Sequence, residues 1–113
     1  GKGLGRTIGF PTANIEIVNK NKLIPGNGVY AVFVKFENKK YKGMLNIGFN
    51  PTFEEKKLSI ELNIFNFKSE IYDKKIKVFF KKKIRDEKKF NSINELKNQL
   101  SKDKILVENR LIL

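Results

Sequence analysis

The chain has 113 residues, of which 40% are hydrophobic, and it carries a formal net charge of +12. This length and composition predict one folded domain and exclude a disordered chain. The absence of Cys excludes disulfides and thiolate metal sites, and the absence of His removes the commonest general base. No signal-peptide pattern opens the chain and no apolar run approaches the roughly 20 residues of a membrane span, so we expect a cytoplasmic protein.

The chain begins with a basic, glycine-rich loop at residues 1–6, which is followed by Ile8-Gly9-Phe10-Pro11-Thr12-Ala13-Asn14. Glycine lets a ligand approach the backbone, and exposed N–H groups in such a loop bind anions, helped here by the charges of Lys2 and Arg6. Thr12 and Asn14 share a face of an extended segment, and their oxygen atoms suit Mg²⁺ beside a phosphate. The stretch indicates Mg-nucleotide binding, although it matches neither the Walker pattern nor the dinucleotide fingerprint and an ordinary turn also fits it.

Four strands are predicted after the turn signal at Pro25-Gly26-Asn27-Gly28, and they cover residues 28–36, 41–47, 59–65 and 76–82. The first strand is apolar enough to be buried on both faces, and residues 37–40 predict a hairpin turn after it. Residues 48–51 and 54–57 predict a break and a loop. The third strand alternates, with Ile60, Leu62 and Ile64 on one face and Ser59, Glu61, Asn63 and Phe65 on the other.

Helical character is confined to the end of the chain. Ser92 and Glu95 form a capping-box pattern. An apolar stripe at helical spacing follows, and it comprises Ile93, Leu96, Leu100, Val107 and Leu111. The pair Lys102-Asp103 predicts an interruption of this helix. Short strands followed by one terminal helix favour an antiparallel barrel or sandwich with the helix packed outside.

The segment Gly5-Arg6-x-x-Gly9-Phe10-Pro11-Thr12-Ala13-Asn14 is similar to the signature loop of riboflavin kinases, including the kinase module of bacterial bifunctional riboflavin kinase/FAD synthetases. Further matches follow in the family's order, and they are Gly28-Val29-Tyr30, Asn46-Ile47-Gly48-Phe49-Asn50-Pro51-Thr52, Ile60-Glu61, Ile84-Arg85-Asp86-Glu87-Lys88-Lys89-Phe90 and the C-terminal helix. The resemblance implies a mostly β fold, a six-stranded antiparallel Greek-key barrel with the helix outside. It makes residues 1–113 one riboflavin kinase domain, from which we expect the family's first strand, before the glycine loop, to be missing.

The resemblance also implies an activity. Riboflavin kinases transfer the γ-phosphate of ATP to the ribityl 5′-hydroxyl of riboflavin and make FMN, with Mg²⁺ as the metal and ATP as co-substrate. No nucleotidyltransferase module is present in these residues, so the domain alone is expected to stop at FMN. We expect an FAD synthetase module in the full-length chain, and neither a specific nucleic acid nor a membrane as partner.

Catalytic and metal-binding roles carry over residue by residue from the family. From the residues alone, Glu61 is either a solvated surface acid or the floor of a site, and the resemblance makes it the base that activates the hydroxyl. Asn63 shares its face and is expected to position the substrate. The resemblance makes Thr12 and Asn14 the ligands of Mg²⁺ and phosphate.

The remaining nucleotide and flavin contacts carry over in the same way. Gly1, Arg6 and Gly9 belong to the ATP loop, where the guanidinium of Arg6 can contact phosphate through two donors. Asn46 and Gly48 either shape the nucleotide pocket or form a plain turn.

The segment from Arg85 to Phe90 corresponds to the family's flavin-side loop. A neutral planar ring needs apolar walls and a few hydrogen-bonding groups, which suits Phe90 as a wall and Arg85 as a donor. Phe90 would equally well seat the helix on the barrel. Asp86 and Glu87 are expected to be solvated.

A rival hypothesis is a basic β-barrel that binds single-stranded nucleic acid through a positive groove and stacking aromatic side chains. Residues 73–89 hold nine cations against three acids. However, their lysines largely alternate with apolar residues, which favours the solvated face of a half-buried strand. The phenylalanines on the strands are also needed for a core.

Overall fold

The chain was analysed as a computed structural model, which describes residues 6–9, 15–18, 26–51, 56–67 and 75–111. In chain order, the elements are β1 Arg6–Gly9, β2 Ile15–Val18, β3 Gly28–Phe36, β4 Lys39–Pro51, β5 Lys56–Ile64, β6 Ile76–Arg85 and α1 Ile93–Arg110. The domain is mostly β with one C-terminal helix, as the sequence predicts.

The four long strands form an antiparallel sheet in the order β5-β4-β3-β6. At one edge β1 pairs antiparallel with β5, and at the other edge β2 pairs parallel with β6. The wholly antiparallel pairing expected from the sequence is therefore wrong at β2, where the long connection to β6 permits a parallel crossover. Among the described strands no pairing joins β1 to β2, so this sheet is not closed.

The hairpin between β3 and β4 turns through two residues instead of the four predicted. Glu37 and Asn38 have φ values of +48° and +66°, and positive φ at both central residues is the requirement of a type I′ turn. β4 consequently begins at Lys39.

The break predicted at residues 48–51 is wrong. These residues continue β4, because they pair with residues 56–59 of β5. β5 therefore starts inside the loop predicted at 54–57, and β6 extends beyond residue 82 to Arg85.

The sheet is packed on both faces. One face carries a core that includes Tyr30, Val32, Leu45, Leu62 and Ile64. The opposite face carries a second cluster, which consists of Val29, Ala31, Phe33, Met44, Phe65, Val107 and Leu111, the last two contributed by α1 and its end. Central strand β3 is buried on both faces except at Lys35, which confirms the prediction for this strand.

The cap predicted for α1 is confirmed. The backbone N–H of Glu95 donates to Oγ of Ser92 at 3.1 Å, and Oε2 of Glu95 accepts from the backbone N–H of Asn91 at 3.0 Å. At the other end, the backbone N–H of Leu111 donates to the carbonyl of Val107 at 3.0 Å. These contacts satisfy backbone groups that the helix itself leaves unpaired.

The predicted apolar stripe and helix interruption are only partly right. Val107 and Leu111 are buried and Leu100 packs against the same cluster, but Ile93 is 70% exposed. The interruption at Lys102-Asp103 is wrong, since α1 is continuous and Asp103 is 2% exposed. The buried carboxylate faces Arg85 on β6, and this pairing offsets part of the cost of burying it within the helix.

Candidate functional site

A row of directly paired residues crosses the sheet from β1 to β6. Gly9 pairs with Glu61, and Glu61 pairs with Asn46 on its other side. Asn46 pairs with Val29, which pairs in turn with Arg85. Residues directly opposite each other on neighbouring strands share one face of the sheet. The row therefore brings an acid, an amide and a cation onto the face that α1 covers.

A cavity of about 210 Å³ lies on this face, between the sheet and the first half of α1. Its apolar wall is formed by Val29, Met44, Phe90, Leu96 and Leu100. Its polar groups come from Asn46, Glu61, Asn63, Arg85 and Lys88. Five residues predicted for the site from the sequence therefore lie together here, namely Asn46, Glu61, Asn63, Arg85 and Phe90. An apolar wall with a few polar groups is typical of a small-molecule site.

The surroundings of Glu61 bear on the two alternatives that the sequence left open for it. The alternation of β5 is confirmed, because Leu62 and Ile64 belong to the core on the other face of the sheet. Glu61 itself is exposed and also lines the cavity. Its carboxylate is therefore accessible to solvent and lies next to the space that a ligand would fill.

The two asparagines of the cavity sit deeper than Glu61. Asn63 is 5% exposed, and Asn46 is partly buried. Oδ1 of Asn46 is buried and accepts no hydrogen bond from the described residues. Leaving a buried acceptor unpaired costs about 1–3 kcal/mol, so this oxygen is a favourable partner for a donor on a bound molecule.

Arg85 ends β6 and is held from the helix side. Nε of Arg85 lies 3.1 Å from both carboxylate oxygens of Asp103, and Nη2 donates to Oδ2 at 2.9 Å. Nη1 donates to the carbonyl of Asp86 at 3.0 Å, and the guanidinium carbon lies 6.0 Å from the ring centroid of Phe90. Gln99 donates to Oδ1 of Asp103 at 2.9 Å. Asp103 could not be identified as a site residue from the sequence, because no local pattern connects it with Arg85.

The segment from Arg85 to Phe90 has two further acids with different surroundings. Asp86 is exposed, as expected, and pairs with Lys83 at 2.7 Å. The hydrogen bond from Lys83 holds the pKa of Asp86 below its usual value, and the same bond raises the pKa of Lys83. Glu87 is exposed but reaches β4, where a Cβ at Gly48 would lie 2.7 Å from its Oε2. Gly48 therefore lies within a strand and under a carboxylate, not in a turn.

Several predicted site residues lie wholly or partly beyond these observations. Gly1, Thr12 and Asn14 lie outside the described residues. Arg6 and Gly9 are described as the two ends of β1 and by their backbone pairing with Ile64 and Glu61 of β5. In the part of the chain that the structure describes, no group of three or more acidic, His or Cys side chains is placed to hold a metal ion. No described helix is both long and apolar enough to cross a membrane.

The basic surface is separate from the cavity. Lys77, Lys35 and Lys40 lie directly opposite one another on β6, β3 and β4, and all three are exposed. The neighbouring Phe33 is buried, and the ammonium of Lys40 covers its ring at 4.2 Å from the centroid. Stacking of bases requires exposed aromatic faces, and this ring is covered. The lysine pattern predicted as a solvated strand face is confirmed for Lys77, and this surface does not favour the nucleic-acid alternative.

Fold and cavity together define a small β domain with a cavity between its sheet and a C-terminal helix. A family model described as "Flavokinase: Riboflavin kinase" matches residues 1–111. The chain belongs to the riboflavin kinase family.

Similar proteins agree with this family. The bifunctional riboflavin kinase/FMN adenylyltransferase of Bacillus subtilis (strain 168) is 50% identical over 103 residues, which cover 88% of this chain and 32% of that protein. The Escherichia coli (strain K12) protein of the same description is 40% identical over 106 residues, covering 93% and 33%. The chain thus spans about a third of the length of these relatives. A crystal structure described as a macrolide-efflux protein from Streptococcus pneumoniae has a TM-score of 0.74 at 36% identity and covers 79% of this chain and 29% of that one.

Proposed function

We propose that this domain phosphorylates riboflavin, using ATP to convert it to FMN, as the kinase module of a bifunctional riboflavin kinase/FMN adenylyltransferase. Family membership and the descriptions of the relatives support the reaction. The observation that carries the proposal is the position of Glu61, an accessible carboxylate that lines an apolar-walled cavity.

Phosphoryl transfer to an alcohol needs a held triphosphate, an aligned hydroxyl and a group that takes the hydroxyl proton. The chain has no His or Cys, so the proton acceptor must come from the remaining side chains. Glu61 accepts the proton from the 5′-hydroxyl as the oxygen attacks the γ-phosphate of ATP. ADP leaves, and the phosphate is then bonded to the ribityl oxygen.

The pairing of Gly9 with Glu61 supports a phosphate site beside this base. In the sequence, Phe10 and then Pro11-Thr12-Ala13-Asn14 follow Gly9 directly. In this proposal Gly1, Arg6 and Gly9 bind the phosphates, and Thr12 and Asn14 hold Mg²⁺, which would neutralise charge on the triphosphate. Asn46 and Gly48 border the same end of the sheet on the other side of Glu61.

The cavity suits the flavin ring in its chemistry. A neutral planar ring needs apolar contact over its faces, which Met44 and Phe90 supply, and donors or acceptors at its edge, which Asn63 and Arg85 supply. Phe90 lines the cavity, which supports its proposed role as a wall.

Three broader features belong to the same proposal. The first is closure of the sheet into the six-stranded Greek-key barrel that the family resemblance implies. The second is an adenylyltransferase module elsewhere in the protein, supported by the descriptions of the relatives. The third is a cytoplasmic location.

A product assay tests the proposal. The purified domain is incubated with riboflavin, ATP and Mg²⁺, and flavins and nucleotides are separated by chromatography. We expect FMN and ADP in equal amounts, no FAD, and no product when EDTA removes the divalent metal. Absence of FMN would refute the proposed activity, whereas FAD from these residues alone would refute its assignment to the kinase step.

A further inference from the structure

Asp103 is a costly residue for the helix to bury. It is 2% exposed and lies in the middle of α1. Taking a carboxylate out of water costs several kcal/mol, and a buried ion pair often stabilises a fold no better than apolar residues of the same size. The position of Asp103 therefore calls for a reason other than stability.

The geometry supplies such a reason, because Asp103 fixes one edge of the guanidinium of Arg85. Asp103 accepts from Nε and Nη2, while the carbonyl of Asp86 accepts from Nη1. A guanidinium has five N–H donors, so these contacts leave one N–H on each terminal nitrogen. Gln99 binds the carboxylate from the preceding turn of α1 and restricts its rotation.

The pairing also determines which ligand group the remaining donors suit. The charge of Arg85 is balanced by Asp103 at 2.9 Å, and the pair is almost shielded from water, with side-chain exposures of 14% and 2%. A balanced guanidinium attracts an anion less than a free one does, but its N–H groups still donate. Arg85 lines the cavity beside apolar side chains, so a carbonyl of an uncharged ring is the matching acceptor.

We propose that Asp103 is a positioning residue that holds Arg85 as a charge-balanced donor to a carbonyl group of the bound flavin ring. The inference rests on the proposed riboflavin kinase function. Asp103 does not contact the substrate in this proposal and acts only through Arg85. In this proposal α1 contributes to flavin recognition through Asp103, although Asp103 does not line the cavity.

The test compares riboflavin affinity, measured by quenching of flavin fluorescence, with the KM for ATP. Asp103→Asn keeps the size of the side chain but removes its charge and places an amide opposite two donors. We expect riboflavin to bind about tenfold more weakly or worse, the loss expected for one hydrogen bond to a charged group, with the KM for ATP within about twofold of the wild type. A purely structural role would instead reduce the folded fraction and leave the riboflavin affinity of that fraction unchanged, which would overturn the inference.

A matched control uses another acid on α1. Glu108 is paired with Lys104 at 3.9 Å and its side chain is 42% exposed, so Glu108→Gln changes the charge by the same amount away from the cavity. We expect its riboflavin affinity to equal that of the wild type. A loss as large as that of Asp103→Asn would overturn the inference, because it would show a general effect of charge.

A double variant covers the case in which Asp103→Asn does not fold. Arg85→Gln/Asp103→Asn removes both charges, so no uncompensated charge remains buried. If Asp103 acts only through Arg85, the double variant binds riboflavin as well as Arg85→Gln alone. A further tenfold loss in the double variant would overturn the inference. A wild type that makes no FMN would instead refute the proposed function, whereas FMN formation with unchanged riboflavin affinity in Asp103→Asn refutes only the positioning role.

Discussion

Glu61 on β5 and Gly9 on β1 lie directly opposite each other in the sheet, although they are far apart in the chain. The Cα atoms of directly opposite residues in an antiparallel pair are only about 4.5–5.5 Å apart. The residue that we propose as the base is therefore adjacent to the start of the segment that we propose for phosphate and metal. The proposed base and the proposed phosphate and metal segment can be tested by separate substitutions.

Glu61→Gln tests the proton acceptor. Glutamine keeps the size and hydrogen-bonding capacity of the side chain, so riboflavin and ATP should still bind. Turnover should fall about 10²–10⁴-fold, the usual contribution of general-base assistance, and the loss should lie in kcat and not in KM. Steady-state kinetics of FMN formation measures both, with Glu108→Gln as the matched loss of charge. Near-normal kcat in Glu61→Gln would remove this carboxylate from the mechanism.

Thr12→Ala and Asn14→Ala test the proposed Mg²⁺–phosphate cluster. Each change should weaken Mg-ATP binding and lower turnover while circular dichroism stays unchanged. Groups that act on one cluster are coupled, so the double variant should lose less than the sum of the two single losses in ΔG. Titration of Mg-ADP binding by calorimetry gives these values. Strict additivity would argue for two independent sites.

Lys35→Gln tests whether the row of Lys77, Lys35 and Lys40 destabilises the sheet. Lys35 lies directly between Lys40 and Lys77, and like charges directly opposite each other destabilise a sheet. Removing the central charge should raise the free energy of unfolding by about 0.5 kcal/mol and leave FMN formation unchanged. Urea titrations should show that the gain shrinks in high salt, and Lys75→Gln, outside the row, should show no comparable gain. If Lys35→Gln and the wild type had the same free energy of unfolding at every ionic strength, the three charges would not interact.

The lysine row also allows a direct test of the nucleic-acid alternative. Oligonucleotide binding to the wild type should be weak and steeply lost with salt, as for non-specific contacts. Fluorescence anisotropy with a labelled single strand measures it. Tight, sequence-selective binding in physiological salt would contradict the assignment of this surface as a solvated strand face.

Two glycines of β4 form a matched pair for a stability test. A Cβ at Gly43 would lie 2.7 Å from the backbone oxygen of Asn63, whereas one at Gly48 would meet only the end of the exposed Glu87 side chain. Gly43→Ala must therefore move a neighbouring strand and should cost about 1–3 kcal/mol, while Gly48→Ala should be nearly neutral. Thermal unfolding of the two variants compares them. Equal losses would show that Glu87 is held as firmly as the sheet backbone.

Much of the fold could be predicted from the sequence, because strand alternation and helix capping depend on residues that are close together in the chain. The alternation of β5 identified the face of Glu61, and Ser92 with Glu95 identified the start of α1. The strand ends could not be predicted. Residues 48–51 carry turn residues, yet pairing with β5 keeps them extended, and propensity does not include the gain from a neighbouring strand.

The site was predictable where a residue's role depends on its own strand, and not where it depends on a distant partner. Ile93 matched the apolar stripe but is exposed, since helical spacing alone does not show which positions of the stripe are packed against other elements. Asp103 looked like an interruption of the helix but is buried within it. Arg85 on β6 pairs with its carboxylate and offsets part of the cost of burying it. Only the three-dimensional packing of α1 on β6 joins these two residues.

The turn at Glu37 and Asn38 lies at the opposite end of the hairpin from the cavity, yet it determines what the cavity contains. Val29 and Asn46 are equally far from this turn along β3 and β4, and so are Ala31 and Met44. A one-residue slip between the two strands would turn Met44 and Asn46 into the core and bring their apolar neighbours to the ligand. The length of this distant turn therefore helps to determine which side chains line the cavity. Insertions or deletions that alter the pairing there should be rare among functional variants, even though neither turn residue lines the cavity.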